Sequence, residues 1–151
     1  MRDIKRIIFV VGNGVSRAPM ATGVFQQLCT RDDIEVLCRG LVVQFPEPLN
    51  QKAEAVMISN GINMPEFSSQ GISDEDYIEG TIAFTMESAQ RARIIDKIPS
   101  ANKENTFVLS EFVGDELEIM DPYGGTLQTY GICFELIKNA VKKMIEKLEL
   151  Q

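Results

Sequence analysis

Two short runs concentrate the residues able to do chemistry. The first is Val11-Gly12-Asn13-Gly14-Val15-Ser16-Arg17, which follows an apolar stretch and leads into Pro19. Gly12 and Gly14 reach backbone angles closed to other residues, so successive amides can turn inward as a nest beside the positive end of a following helix. Arg17 adds a planar guanidinium able to grip two oxygens of one phosphate. The chemistry of such a loop is the holding of an oxyanion by Gly12, Asn13, Gly14, Val15, Ser16 and Arg17. The second run is Asp121-Pro122-Tyr123-Gly124-Gly125. By composition its aspartate can begin a turn, since Asp, Pro and Gly are common turn formers.

The chain has no histidine. That removes the usual general base, the Ser-His and Cys-His pairs and the commonest zinc ligand, so neither a metal nor another cofactor is expected. Hydrolysis would have to run on carboxylates, arginine and backbone amides. Cys29, Cys38 and Cys133 are odd in number, widely spaced and set in apolar patterns, which reads as buried free thiols of a reducing compartment. The commoner phosphate loops do not fit. A Walker loop ends in Gly-Lys-Ser/Thr, and a dinucleotide fingerprint has a third glycine where this chain has Arg17. A plain structural turn between strand and helix remains the alternative to a cradle.

The elements that must position these runs follow from periodicity. Strand-like stretches at 4–11, 34–38, 81–86 and 106–109 alternate with helical ones, the pattern of a parallel sheet. The first is apolar at consecutive positions, as in a central strand covered on both faces. A helix begins after the glycine-rich loop at Pro19, with Met20, Val24, Phe25 and Leu28 at helical spacing. A second covers 50–60, with Ala53, Val56 and Met57 inward and Gly61 as its stop. Ser73 reads as an N-cap before the acidic turn Asp74-Glu75-Asp76, and 88–98 reads as a helix ending before Pro99. The last segment is amphipathic, with Tyr130, Phe134, Ile137, Val141, Met144 and Leu148 on one face and Glu135, Lys138, Lys142 and Glu146 on the other.

With 151 residues and no repeat or linker, one domain spanning 1–151 is expected. A hydrophobic fraction of 44% with 25% charged residues is that of a globular cytoplasmic protein. No apolar run nears the roughly 20 residues of a membrane span, and a net charge of −7 argues against nucleic acid as partner. Oligomeric state has no signature in the pattern.

The run from Phe9 to Ala21, framed by Arg17-Ala18-Pro19-Met20-Ala21, resembles the N-terminal signature of low-molecular-weight protein tyrosine phosphatases, Cys-x5-Arg-Ser-Pro-Met-Ala. The Asp121-Pro122-Tyr123-Gly124-Gly125 run resembles the Asp-Pro-aromatic general-acid loop of the family's bacterial form. Arg39-Gly40 falls where relatives carry Ala-Gly, so the resemblance spans essentially the whole chain. It implies an α/β fold in three layers, a doubly wound four-stranded parallel sheet flanked by helices. It also implies a phosphate site at Gly12 to Arg17, Arg17 and Asp121 as the catalytic residues if activity survives, and Phe45 and Tyr123 as cleft walls. Phe45 is equally readable as local packing.

The resemblance breaks at the nucleophile. Counting back six from Arg17 reaches Val11, where the family has its cysteine. The family reaction needs a low-pKa thiolate that forms a phosphocysteine later cleared by water, and valine has no lone pair to offer. Gly14 replaces an asparagine, Ser16 a second cysteine and Ala18 a supporting serine; four changes in one loop point to natural loss of the reaction rather than a single engineered one. Ser16 has no histidine to deprotonate it and is expected to ligate, not attack.

The expectation is therefore a pseudophosphatase that binds phosphate or a phosphorylated small molecule or protein. Two alternatives stand beside it. One is an active phosphatase, on phosphotyrosine or phosphoarginine, using Asp121 and Arg17 by an atypical route. The other is a partner-binding domain with a vestigial site, acting through a surface such as 65–80. Apolar Val15 favours an aromatic neighbour over a guanidino group.

Overall fold

The computed structural model describes residues 3–151. Four strands, β1 (Arg6–Val10), β2 (Glu35–Arg39), β3 (Thr81–Thr85) and β4 (Thr106–Val108), form one sheet in the order β2-β1-β3-β4. All three pairings are parallel, with Ile7 opposite Val36 on one side of β1 and opposite Ile82 on the other. The consecutive apolar residues Ile7 to Val10 are fully buried because β1 is an inner strand with both faces covered.

The helices are α1 (Arg17–Leu28), α2 (Gln51–Ser59), α3 (Ser88–Lys97), α4 (Leu109–Phe112) and α5 (Leu127–Lys147). Alternation along β1 splits the core in two. Ile7 and Phe9 join the larger apolar cluster with residues of α1, α2, α4 and α5, while Ile8 and Val10 face Ile94 of α3 and Ala101. The result is the three-layer, doubly wound arrangement that the family resemblance implies, built on the parallel sheet expected from the alternation of strands and helices.

All four expected strands form: β1 starts two residues later and ends one earlier, β2 is shifted by one residue, and β3 and β4 each end one residue earlier. The helix after the loop starts at Arg17, so Pro19 is its third residue, still within the turn whose amides need no intrahelical partner. Asn50 caps α2, its side chain accepting from the amides of Lys52 at 2.9 Å and Ala53 at 3.0 Å. Gly61 closes the same helix at φ +78°. Ser73 is an N-cap as expected, the Asp76 carboxylate accepting from its amide at 3.0 Å, and the element it opens is a single 3-10 turn, Asp74–Asp76. Asp76 also pairs with Arg39 at 3.1 Å. The four-residue α4 had no periodic signal in the sequence, being too short to show one. Among the described residues no helix is long and apolar enough to cross a membrane.

Candidate phosphate-binding site

The turn between β1 and α1 lies at the carboxyl end of the central strands, the edge where open α/β sheets bind ligands. Its carbonyls are drawn into the body of the protein. Gly12 O accepts from the amides of Leu41 at 2.6 Å and Val42 at 3.1 Å, and Val15 O accepts from Asn50 N at 3.0 Å. Cys38 Sγ lies 3.9 Å from Gly14 O. The amides of Gly12, Asn13, Gly14, Ser16 and Arg17 have no acceptor among the described residues, and that of Val15 has only a 3.4 Å contact to Asn13 Oδ1. A row of unsatisfied donors at a helix N-terminus is what an oxyanion site requires.

Two glycines make the turn. Gly14 has φ +77°, and a Cβ placed there would lie 2.8 Å from the Gly40 nitrogen. A Cβ on Gly40 would in turn lie 2.8 Å from the Asn13 carbonyl carbon, so the loop and the end of β2 meet backbone to backbone. This close approach accounts for glycine at position 14.

The loop residues from Val11 to Arg17 line a cavity of about 470 Å3 together with Glu47, Pro48, Asn50, Asp121 and Tyr123. The structure thus gathers every sequence-chosen residue except Phe45. The Phe45 ring is 66% exposed and outside this cavity, on the bend that follows the Leu41 and Val42 amides pinned to Gly12. Asp121 faces the cavity and also begins a turn, its Oδ1 accepting from Tyr123 N at 3.0 Å. Lys52 Nζ holds the far end of that turn through Gly125 O at 2.6 Å.

Val11 forms an apolar floor, 3% exposed and packed in the main cluster. No cysteine lines the cavity. Burial pushes the Cys38 thiol up to about 12, and the thiol of Cys133 up to about 11 despite the opposing pull of Arg17. Both are thus held neutral near pH 7, the opposite of an activated thiolate.

Arg17 is 4% exposed and already engaged. Its Nη1 donates to Ile119 O at 2.6 Å and pairs with Glu87 Oε2 at 2.7 Å. Nε and Nη2 make no hydrogen bond to a described residue, so part of the fork is left for a ligand. Glu87 lies two residues beyond the end of β3 and caps α3, with Gln90 Oε1 accepting from its amide at 3.1 Å. Sequence reasoning missed Glu87, Glu47 and Pro48, because none belongs to a motif. Asn50 was legible only as the start of a helix, which the structure makes its N-cap.

A strand, an amide-lined loop and a buried arginine are thus brought together with an Asp-Pro turn from the far end of the chain. Residues 6–151 match the family model for low molecular weight phosphotyrosine protein phosphatase, and the chain belongs to that family. It is 28% identical over 147 residues to a protein-arginine-phosphatase of Geobacillus stearothermophilus, covering 97% of each chain. It is 29% identical over 144 residues to the low molecular weight protein-tyrosine-phosphatase PtpB of Staphylococcus epidermidis, covering 95% of this chain and 99% of that one. Among solved structures, the YwlE arginine phosphatase from Geobacillus stearothermophilus superposes with a TM-score of 0.86 at 27% identity, over 95% of this chain and 92% of that one. The low molecular weight protein tyrosine phosphatase from T. tengcongensis also gives 0.86, at 26% identity, over 94% of this chain and 98% of its own.

Proposed function

We propose that this chain is a pseudophosphatase, one cytoplasmic domain over residues 1–151 that holds a phosphate or phosphorylated ligand in the loop from Gly12 to Arg17 without hydrolysing it. The observation that carries the reading is Val11, an isopropyl group buried beneath an open, amide-lined cavity where this family's reaction needs a thiolate. Gly12, Asn13, Gly14, Val15 and Ser16 supply backbone donors, and Arg17 supplies the guanidinium. Asp121 and Tyr123 wall the entrance. Covalent catalysis is removed, so any residual hydrolysis falls by several powers of ten. The printed activities of the relatives make phosphotyrosine and phosphoarginine the ligands to try first. Three free cysteines accord with a reducing compartment.

Calorimetric titration with inorganic phosphate, phosphotyrosine and phosphoarginine tests the reading. Saturable binding to the native chain that is lost in Arg17→Lys, with no turnover of an aryl phosphate, is the expected result. Turnover abolished in Asp121→Ala would replace it with an active phosphatase.

One observation favours a second reading. Glu87 occupies part of Arg17, and Glu47 and Asp121 add two carboxylates to the cavity wall, a field unfavourable to anions. Under that reading the cavity is vestigial and none of the three ligands binds saturably.

A further inference from the structure

The outward flank of α5 was expected to be polar, yet it carries a second and larger cavity. Between α5 and the segment 115–122 lies a groove of about 690 Å3. Its floor is apolar and open to solvent: Leu117 is 81% exposed, Met120 79%, and Ile132 and Leu136 are more than half exposed. Large aliphatic side chains crowded on one exposed surface mark an interaction site more often than isolated ones do. The rim has the opposite character. Asp115, Glu116, Glu118 and Asp121 line it, against Lys143 alone among cations, and that lysine is bound to Asp115 at 2.7 Å. Glu118 is held ionised, its carboxyl lowered by the hydrogen bonds it accepts from Ser88.

We propose that this groove docks a basic amphipathic helix of a partner protein. The lining residues contributed by α5 run from Thr129 through Ile132 and Leu136 to Lys143 at spacings of three and four, one stripe along the helix. At 1.5 Å per residue the stripe is about 20 Å long, the length of roughly four helical turns. A helix laid there presents leucine-like anchors at i, i+3, i+4 and i+7 to the floor, and its lysines or arginines to the unpaired carboxylates. Charge decides against other occupants. A second copy of this chain would set one acidic rim against another, and an anionic lipid surface would be repelled by the same carboxylates. The groove also abuts the anion loop, because the segment that carries Met120 supplies the Ile119 carbonyl bound to Arg17 and the Asp121 shared by both cavities. The docking proposal does not depend on anion binding.

The test uses two labelled 16-residue peptides with the same leucine face, one carrying lysine and the other glutamate at the remaining positions. Each is titrated by fluorescence anisotropy against the full chain and against Leu136→Ser, whose exposed position leaves the fold intact by circular dichroism. Expected are saturable binding of the lysine peptide, at least about tenfold weakening in Leu136→Ser, and loss of binding near 0.5 M salt. The glutamate peptide does not bind. Equal binding of both peptides, no binding of the lysine peptide, or affinity unchanged in Leu136→Ser overturns the proposal. So does a concentration-dependent dimer of the free chain, or adsorption to anionic vesicles, if either disappears in Leu136→Ser.

Discussion

At the residue scale the decisive contact is the one between Arg17 and Glu87. A buried guanidinium without a counter-charge is costly, and the Glu87 carboxylate supplies that charge when no anion is present. The same carboxylate then competes with a bound phosphate for Nη1. Glu87→Gln keeps an acceptor for Arg17 and for the α3 cap but removes the negative charge, so phosphate affinity should rise by about three- to tenfold, or ~1 kcal/mol, in calorimetric titration. Unchanged affinity would show that the pair does not gate the loop. Val11→Cys is the complementary change. It restores a thiol among free amides and beside an arginine, conditions that favour the thiolate, and slow aryl phosphate hydrolysis should appear in a colorimetric assay. Silence from this variant would mean that Ala18 or the Glu87 pairing has disabled the site beyond the nucleophile. Much of this site could be read from one-dimensional spacing, since an anion loop is contiguous and Val11 is found by counting from Arg17. Glu87 could not. It reaches the site only because β3 runs beside β1, and a lone glutamate after a strand carries no pattern.

At the scale of elements, the loop is shaped by its two neighbours, the end of β2 and the N-terminus of α2, more than by itself. The two glycines make a contrast that tests this. Gly14 combines φ +77° with a Cβ position 2.8 Å from the Gly40 backbone, whereas Gly12 has φ +37° and no atom within 4 Å of its Cβ position. Gly14→Ala must therefore bear both left-handed strain and a clash with main chain, about 3 kcal/mol, while Gly12→Ala bears the strain alone, about 1 kcal/mol. Thermal melts should show a fall of roughly 10 °C for the first and about 3 °C for the second. Similar losses for the two would mean that the loop backs away from β2. The strand and helix order was legible because consecutive apolar residues in β1 and helical spacing in α1 and α5 each have one low-energy solution. The acidic turn after Ser73 was legible from its cap, but the pairing of Asp76 with Arg39 was not, since an ion pair between distant elements leaves no local pattern.

At the scale of the whole molecule, groups buried neutral tie stability to alkaline pH. Burial raises the Cys38 thiol to about 12 from a reference of 9.0, and Cys133 to about 11 from the same reference. The Tyr77 phenol rises to about 12 from 10.0 for the same cause, against its hydrogen bond with Thr106, and its oxygen sits 2.8 Å from Thr106 Oγ1. In each case the folded chain keeps the proton that the unfolded chain releases, so ν is larger in the native state and stability falls as pH rises. The contribution is fully present below about pH 9 for the thiols and about pH 10 for the phenol, and it is lost as pH climbs through 11 to 12. Urea unfolding under reducing conditions should therefore give about 3 kcal/mol less stability at pH 10.5 than at pH 8, a figure reduced for the half-buried positions of Cys38 and Tyr77. The double variant Cys38→Ala, Cys133→Ala starts from a less stable protein at pH 8 because it leaves two small cavities. Its stability should then change much less between the two pH values, with only the Tyr77 part of the slope remaining. Parallel losses in the native chain and the double variant would place the alkaline sensitivity outside these two thiols.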